Sequence, residues 1–204
     1  MEQRLAEGEG AARTAPRWLA PGETLAILPG TFVVTVGAAG CGKTTFVQRH
    51  FPPEMVVSSD AIRHELYGDA AEQGGQARVW GRVYYRVRRR LAQGLTTVLD
   101  STAATPRARQ RALRVARQHG APLLFLVFQM PLSVCLARNR ARLDPTRSVP
   151  VPDVAVIQQF EQVSRFLASA QPRDEVQIAV LTPEAVDTVR VGLLAAARPE
   201  PRAP

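Results

Sequence analysis

Thr31-Phe32-Val33-Val34-Thr35-Val36 is apolar and β-branched, and it ends where Gly37-Ala38-Ala39-Gly40-Cys41-Gly42-Lys43-Thr44 begins. The first run reads as a buried strand. The second fits G-x-x-x-x-G-K-[ST], a loop whose backbone N–H groups turn inward around phosphates. Thr44-Thr45-Phe46-Val47-Gln48-Arg49-His50 then reads as a helix stopped by Pro52 and Pro53, since a proline ring cannot continue the hydrogen-bond ladder. Strand, glycine loop and helix are the context this motif needs, and the helix N-terminus adds partial positive charge to the loop.

Composition sharpens the point. Of the 26 Lys and Arg residues, Lys43 is the single lysine. An ammonium is a compact point charge that fits between two phosphates, where a planar guanidinium is too wide. The motif assigns Gly37, Ala38, Ala39, Gly40, Cys41, Gly42, Lys43, Thr44 and Thr45 to a nucleotide's phosphates, with Lys43 between the β and γ groups and the Thr44 hydroxyl on magnesium. ATP and Mg2+ are the expected cofactors.

The length of 204 residues suits one domain with a real core. No apolar run approaches the roughly 20 residues that span a bilayer. The first 22 residues hold Glu2, Glu7 and Glu9 without an apolar segment, so a secretory signal is not expected and the cytoplasm is. Cys41 and Cys135 lack disulfide or metal spacing. The net charge of +8 favours a polyanionic partner.

Residues 1–22 and 198–204 are read as disordered tails around a domain at 23–197. Within it, runs at Phe32–Val36, Met55–Ser58, Thr96–Leu99, Leu123–Phe128 and Val176–Leu181 alternate with helical patterns. This predicts an α/β fold, a P-loop NTPase-type parallel sheet flanked by helices. Ligands on such sheets bind at the carboxyl ends of the strands. Residues just after strands therefore become the candidates for chemistry.

Asp60 follows the second run. It reads either as a helix N-cap, paired with Arg63 three residues on, or as a carboxylate that takes a proton from an attacking hydroxyl. Asp100 ends the third run and suits magnesium or its water shell. Ser101 follows it where many ATP-hydrolysing motors carry glutamate, which argues against a motor. No Asn-Lys-x-Asp guanine motif is available, because the lone lysine is already committed.

Arginines cluster in three places. Arg78, Arg82, Arg86 and Arg90 recur every four residues opposite Trp80, Val83, Val87 and Leu91, a basic stripe that is either solvated or follows an acceptor backbone. Arg107, Arg111 and Arg114 read as a solvated face. Pro131 can start a helix carrying Arg138 and Arg142, and the break at Leu143–Ser148 contains Arg147. These arginines suit a lid over the triphosphate, where they would neutralise charge on the transferred group.

In order and spacing these residues resemble the kinase domain of bacterial polynucleotide kinase-phosphatases, within the P-loop polynucleotide kinases, from about Leu25 to Leu181. The marks are Gly37 to Thr44 with Thr45-Phe46 and His50-Phe51; Val56-Val57-Ser58-Ser59-Asp60 with Arg63; Gln93-Gly94 leading to Leu99-Asp100-Ser101-Thr102; and Cys135 to Asn139 with Arg142 and Arg147. The resemblance implies transfer of the ATP γ-phosphate to the 5′-hydroxyl of DNA or RNA. It gives Asp60 the role of general base, Arg63 an acceptor-phosphate contact, and Arg138, Arg142 and Arg147 a lid around ATP. The family commonly has asparagine where this chain has Ala103. The phosphatase and ligase modules of the larger enzymes have no counterpart, so the expectation is the kinase part. A small-molecule kinase of the same fold and a non-catalytic nucleotide-binding regulator are the alternatives.

Overall fold

The computed structural model describes residues 15–68, 75–141, 150–170 and 176–195. Its strands are β1 (Arg17–Trp18), β2 (Thr24–Ile27), β3 (Phe32–Val36), β4 (Val56–Ser58), β5 (Thr97–Asp100), β6 (Leu123–Phe128), β7 (Val176–Leu181) and β8 (Arg190–Leu193). Its α-helices are α1 (Lys43–His50), α2 (Ser59–Tyr67), α3 (Gln76–Leu91), α4 (Pro106–Gln118), α5 (Leu132–Arg140) and α6 (Asp153–Ala168).

Six strands form one sheet in the order β1-β7-β6-β3-β5-β4, and every pairing within it is parallel. Parallel strands need crossovers, and the helices that make them cover both faces. This explains the unbroken apolar runs: all five residues of β3 and all six of β6 are buried. Phe32, Val34 and Val36 face one core with Val79, Val83 and Val87 of α3 and Ala112 and Val115 of α4. Val33 faces the other, with Phe46 and Val47 of α1 and Cys135 of α5. Each fully buried valine, leucine or phenylalanine contributes about 1.5–3 kcal/mol, so these two interfaces dominate the fold's stability.

All five strands expected from the sequence are present. Three short ones were not foreseen. β2 and β8 pair in parallel as a separate two-stranded sheet, and β1 adds to the sheet edge on β7. That edge strand lies in the stretch assigned to a tail. Arg17 and Trp18 pair with Ala179 and Val180, and Leu19 is buried, so order begins ahead of residue 23. A two-residue edge strand leaves no periodicity to read. Residues 1–14 and 196–204 lie outside the described residues, including the whole C-terminal stretch 198–204.

The arginine stripe of α3 is neither free nor uniform. Arg82 and Arg86 both face Glu65 of α2, with Arg86 Nη2 2.7 Å from its carboxylate. Arg90 donates to the Thr96 carbonyl at 3.0 Å. On α4, Arg111 departs from the solvated-face reading, because its guanidinium lies over the Tyr84 ring at 3.9 Å.

Candidate active site

The chain crosses β3 between β5 and β6, and the carboxyl end of β3 opens on the crevice this reversal creates. The phosphate loop lies there. Gly42 precedes α1 with φ 94, and Gly40 has φ 81. Both are left-handed conformations that glycine adopts without a steric cost. Gly40 is further constrained by space, since a Cβ on it would stand 2.1 Å from the Cys135 carbonyl. No acidic residue occupies the first turn of α1, so its partial positive charge is uncompensated.

Lys43 is buried, and its Nζ donates to the Ala38 carbonyl at 2.8 Å and approaches Cys41 Sγ at 3.4 Å. The ammonium is thus curled inside the loop it belongs to. Gly37 N–H donates to the Thr102 carbonyl at 3.0 Å, and Ala39 N–H donates to Gln159 Oε1 at 2.8 Å. The segment after β5 and helix α6 therefore both hold the loop. A cleft of about 300 Å3 runs along it, lined by Lys43, Thr44, Thr45 and Arg49 of α1 together with Arg138 and Asp187.

Thr44 Oγ1 donates to Asp100 Oδ2 at 2.8 Å. Burial pushes the Asp100 carboxyl above the ordinary carboxylate range; the Thr44 hydrogen bond and the Lys43 charge draw it back, and the Asp60 charge adds to the upward push. Asp60 lies in the first turn of α2, two residues after Ser58, which pairs in register with Asp100 at the ends of β4 and β5. The side chain that caps α2 is Ser58, which accepts from Ala61 N–H at 3.3 Å. Asp60 is exposed in the first helical turn and does not cap. The N-cap alternative for Asp60 is therefore corrected: the serine two positions earlier has the extended backbone a cap requires.

Arg63 donates to Gln76 Oε1 at 3.3 Å, which ties it to the start of α3. Arg138 is exposed on α5, and its Nη1 lies 3.7 Å from where a Cβ on Gly42 would stand. It borders the phosphate loop. Arg142 and Arg147 lie outside the described residues. The chain on either side of them is joined by Asn139, whose Nδ2 donates to the Val151 carbonyl at 2.7 Å and whose Oδ1 accepts from Val151 N–H at 3.1 Å.

The donor set suits magnesium. Thr44 and Asp100 offer hard oxygen ligands, and Ser101 Oγ beside them is buried with no hydrogen-bond partner among the described residues. No group of three or more His, Cys, Asp or Glu among the described residues could hold a metal alone. Magnesium commonly takes one or two protein oxygens plus substrate phosphates and water, so this sparse set fits it.

Several residues at the site escaped the sequence. Arg49 and Asp187, both lining the cleft, pair at 3.4 Å. Gln159 reaches the loop from 120 positions away in the chain. Thr35 stitches β3 to β5, donating to the Ser101 carbonyl at 2.8 Å and accepting from Ser101 N–H at 3.0 Å. Only the Thr35 hydroxyl, polar within an apolar run, gave any sign.

Among solved structures, a putative kinase from Chloroflexus aurantiacus is 13% identical with a TM-score of 0.53, over 76% of this chain and 85% of that one. The AvrRxo1-ORF1:AvrRxo1-ORF2 complex with ATP gives 15% identity and a TM-score of 0.52, over 68% and 51%. The Pnkp1/Rnl/Hen1 complex gives 20% identity and a TM-score of 0.47, over 66% and 48%. The chain spans about half the length of the matched chains in these two complexes. At such identities the two structures with TM-scores above 0.5 show a likeness of fold alone. No curated protein matches the chain. The family model described as AAA domain matches residues 32–167, from the first residue of β3 to the last turn of α6. That match holds the phosphate loop and four strands of the parallel sheet, β3 to β6, and covers more than half of the sequence, so the chain belongs to the AAA domain family.

Proposed function

We propose that the protein transfers the γ-phosphate of ATP, with magnesium, to the 5′-hydroxyl of DNA or RNA. The observation that carries the reading is the position of Asp60, exposed and free of the capping role that Ser58 takes, two residues after the Ser58 that pairs in register with Asp100. A kinase needs a carboxylate that can take the acceptor hydroxyl's proton, and an exposed Asp60 one helical turn before Arg63 supports that role.

In this reading the loop N–H groups and Lys43 hold the β and γ phosphates. Thr44 and Asp100 hold magnesium, which when bound neutralises charge between those phosphates. Asp60 accepts the proton of the attacking hydroxyl, Arg63 holds an acceptor phosphate, and Arg138 balances charge on the transferred group. Arg142 and Arg147 complete the lid. The net charge of +8 supports a polyanionic acceptor.

The test is transfer from γ-labelled ATP to a 5′-hydroxyl oligonucleotide, run beside free sugars and nucleosides. Label on the oligonucleotide is the expected result. Label confined to a sugar or nucleoside supports the small-molecule kinase instead, and tight ATP binding without any transfer supports the regulator.

A further inference from the structure

A second and larger chamber, about 660 Å3, opens between α3 and α4. Trp80 and Tyr84 line it from α3, Arg107 and Arg111 from α4, and Thr102 and Gln159 close its inner end. That inner end is the phosphate loop's own support: Thr102 accepts from Gly37 N–H, and Gln159 accepts from Ala39 N–H. Its outer rim includes Gln76, which accepts from Arg63. The chamber therefore runs from the loop to the arginine assigned to the acceptor.

Its walls have a definite chemistry. Trp80 and Tyr84 lie with ring centroids 6.0 Å apart, and Arg111 covers the Tyr84 ring at 3.9 Å. The three planar groups form a row, and the guanidinium N–H groups remain available in their own plane for an anion. Tyr84 is buried, and burial raises its hydroxyl's proton affinity while Arg111 and Arg88 oppose the shift. Trp80 is half-buried at the chamber wall. Among the described residues that line the chamber none is acidic, while Arg107 and Arg111 are cationic. A neutral sugar can stack on the aromatic row but would leave both cations unused. A flat heteroaromatic ring joined to an anionic backbone uses all of them.

We infer that this chamber seats the acceptor's terminal nucleotide, with Trp80 as the stacking platform for its base and Arg107 and Arg111 as an anion site separate from Arg63. The inference rests on the kinase reading and adds the residues that select the acceptor. Base–aromatic stacking on protein platforms is worth about 1–3 kcal/mol per base. Loss of the terminal base should therefore weaken recognition by roughly 5-fold to 150-fold.

The experiment compares two oligonucleotides that share a 5′-hydroxyl and all phosphates, one with a normal 5′-terminal residue and one abasic there. The intact protein is expected to prefer the first by roughly 5-fold to 150-fold in kcat/KM. Trp80→Ala should erase that preference, and Arg111→Gln should raise KM for both alike. A second measurement needs neither turnover nor a change at residue 80. With Trp18→Phe, Trp80 is the remaining tryptophan, and its fluorescence is followed with the phosphate loop filled by magnesium and a non-hydrolysable ATP analogue. Quenching by the normal oligonucleotide and not by the abasic one is expected.

Equal use of both oligonucleotides, or a preference that persists in Trp80→Ala, overturns the chamber assignment while leaving the kinase reading intact. Base-dependent quenching without phosphate transfer upholds the chamber and overturns the kinase reading. Absence of base-dependent quenching overturns the chamber assignment.

Discussion

The Thr44 hydroxyl donates to Asp100 Oδ2 at 2.8 Å, joining the first turn of α1 to the last residue of β5. Asp100 is buried, and burial holds its proton affinity above that of an ordinary aspartate. For a carboxyl raised in this way, the folded state binds the proton more tightly than the unfolded chain. Its contribution to stability is full below the unfolded pKa and is lost as pH rises through the raised folded value.

Asp100→Asn removes that ionisation and keeps an oxygen to accept from Thr44. The variant is expected to unfold at a higher temperature than the parent at about pH 7, with the gap closing toward about pH 4. Its phosphate transfer should fall by about 10²-fold or more, because a ligand that positions and neutralises the reacting phosphates is gone. Thermal unfolding at both pH values with a paired activity assay checks this. A less stable variant at neutral pH would contradict it.

Gly40 separates steric fit from backbone conformation. An alanine there meets the Cys135 carbonyl at 2.1 Å in addition to its positive φ, whereas Gly22 shares a positive φ with nothing within 4 Å. Gly40→Ala is expected to cost about 1–3 kcal/mol more than Gly22→Ala, because backbone must shift. Denaturant titration of both variants measures the difference.

Ala103 holds φ 37, the one positive value outside glycine among the described residues. Arg109 keeps it there: Nη1 donates to the Ala103 carbonyl at 3.2 Å and also to the Ala104 carbonyl, while the guanidinium packs over the Phe166 ring at 4.0 Å. Burial draws Arg109 down to about 10, and it stays charged at neutral pH. Ala103→Gly relieves the left-handed strain and is expected to stabilise by up to about 1 kcal/mol, less the entropy glycine adds to the unfolded chain. ATP affinity should not change. Denaturation and nucleotide titration on one preparation test both statements.

The parts legible in the sequence were those that repeat locally. β3, β4, β5, β6 and β7 announce themselves as apolar runs because helices bury them on both faces. The phosphate loop is legible because its glycines and lysine are fixed by a shape only eight residues long. The juxtapositions across the sheet were not legible. Nothing near Gln159 signals its bond to Ala39, and nothing near Arg111 signals its seat on Tyr84. Asp60 shows the same divide. Its position after a strand made it a candidate, but its release from capping depended on Ser58 taking the extended conformation. The edge strand at Arg17–Trp18 was hidden because two residues between Pro16 and Pro21 show no alternation to read.

Asp60→Asn tests the central claim most directly, in a single-turnover transfer of labelled phosphate to a 5′-hydroxyl oligonucleotide. The parent protein should label the oligonucleotide, and the variant should do so about 10²–10⁴-fold more slowly with ATP affinity unchanged. A variant that transfers at the parent's rate, or a parent that leaves the oligonucleotide unlabelled, would contradict the account.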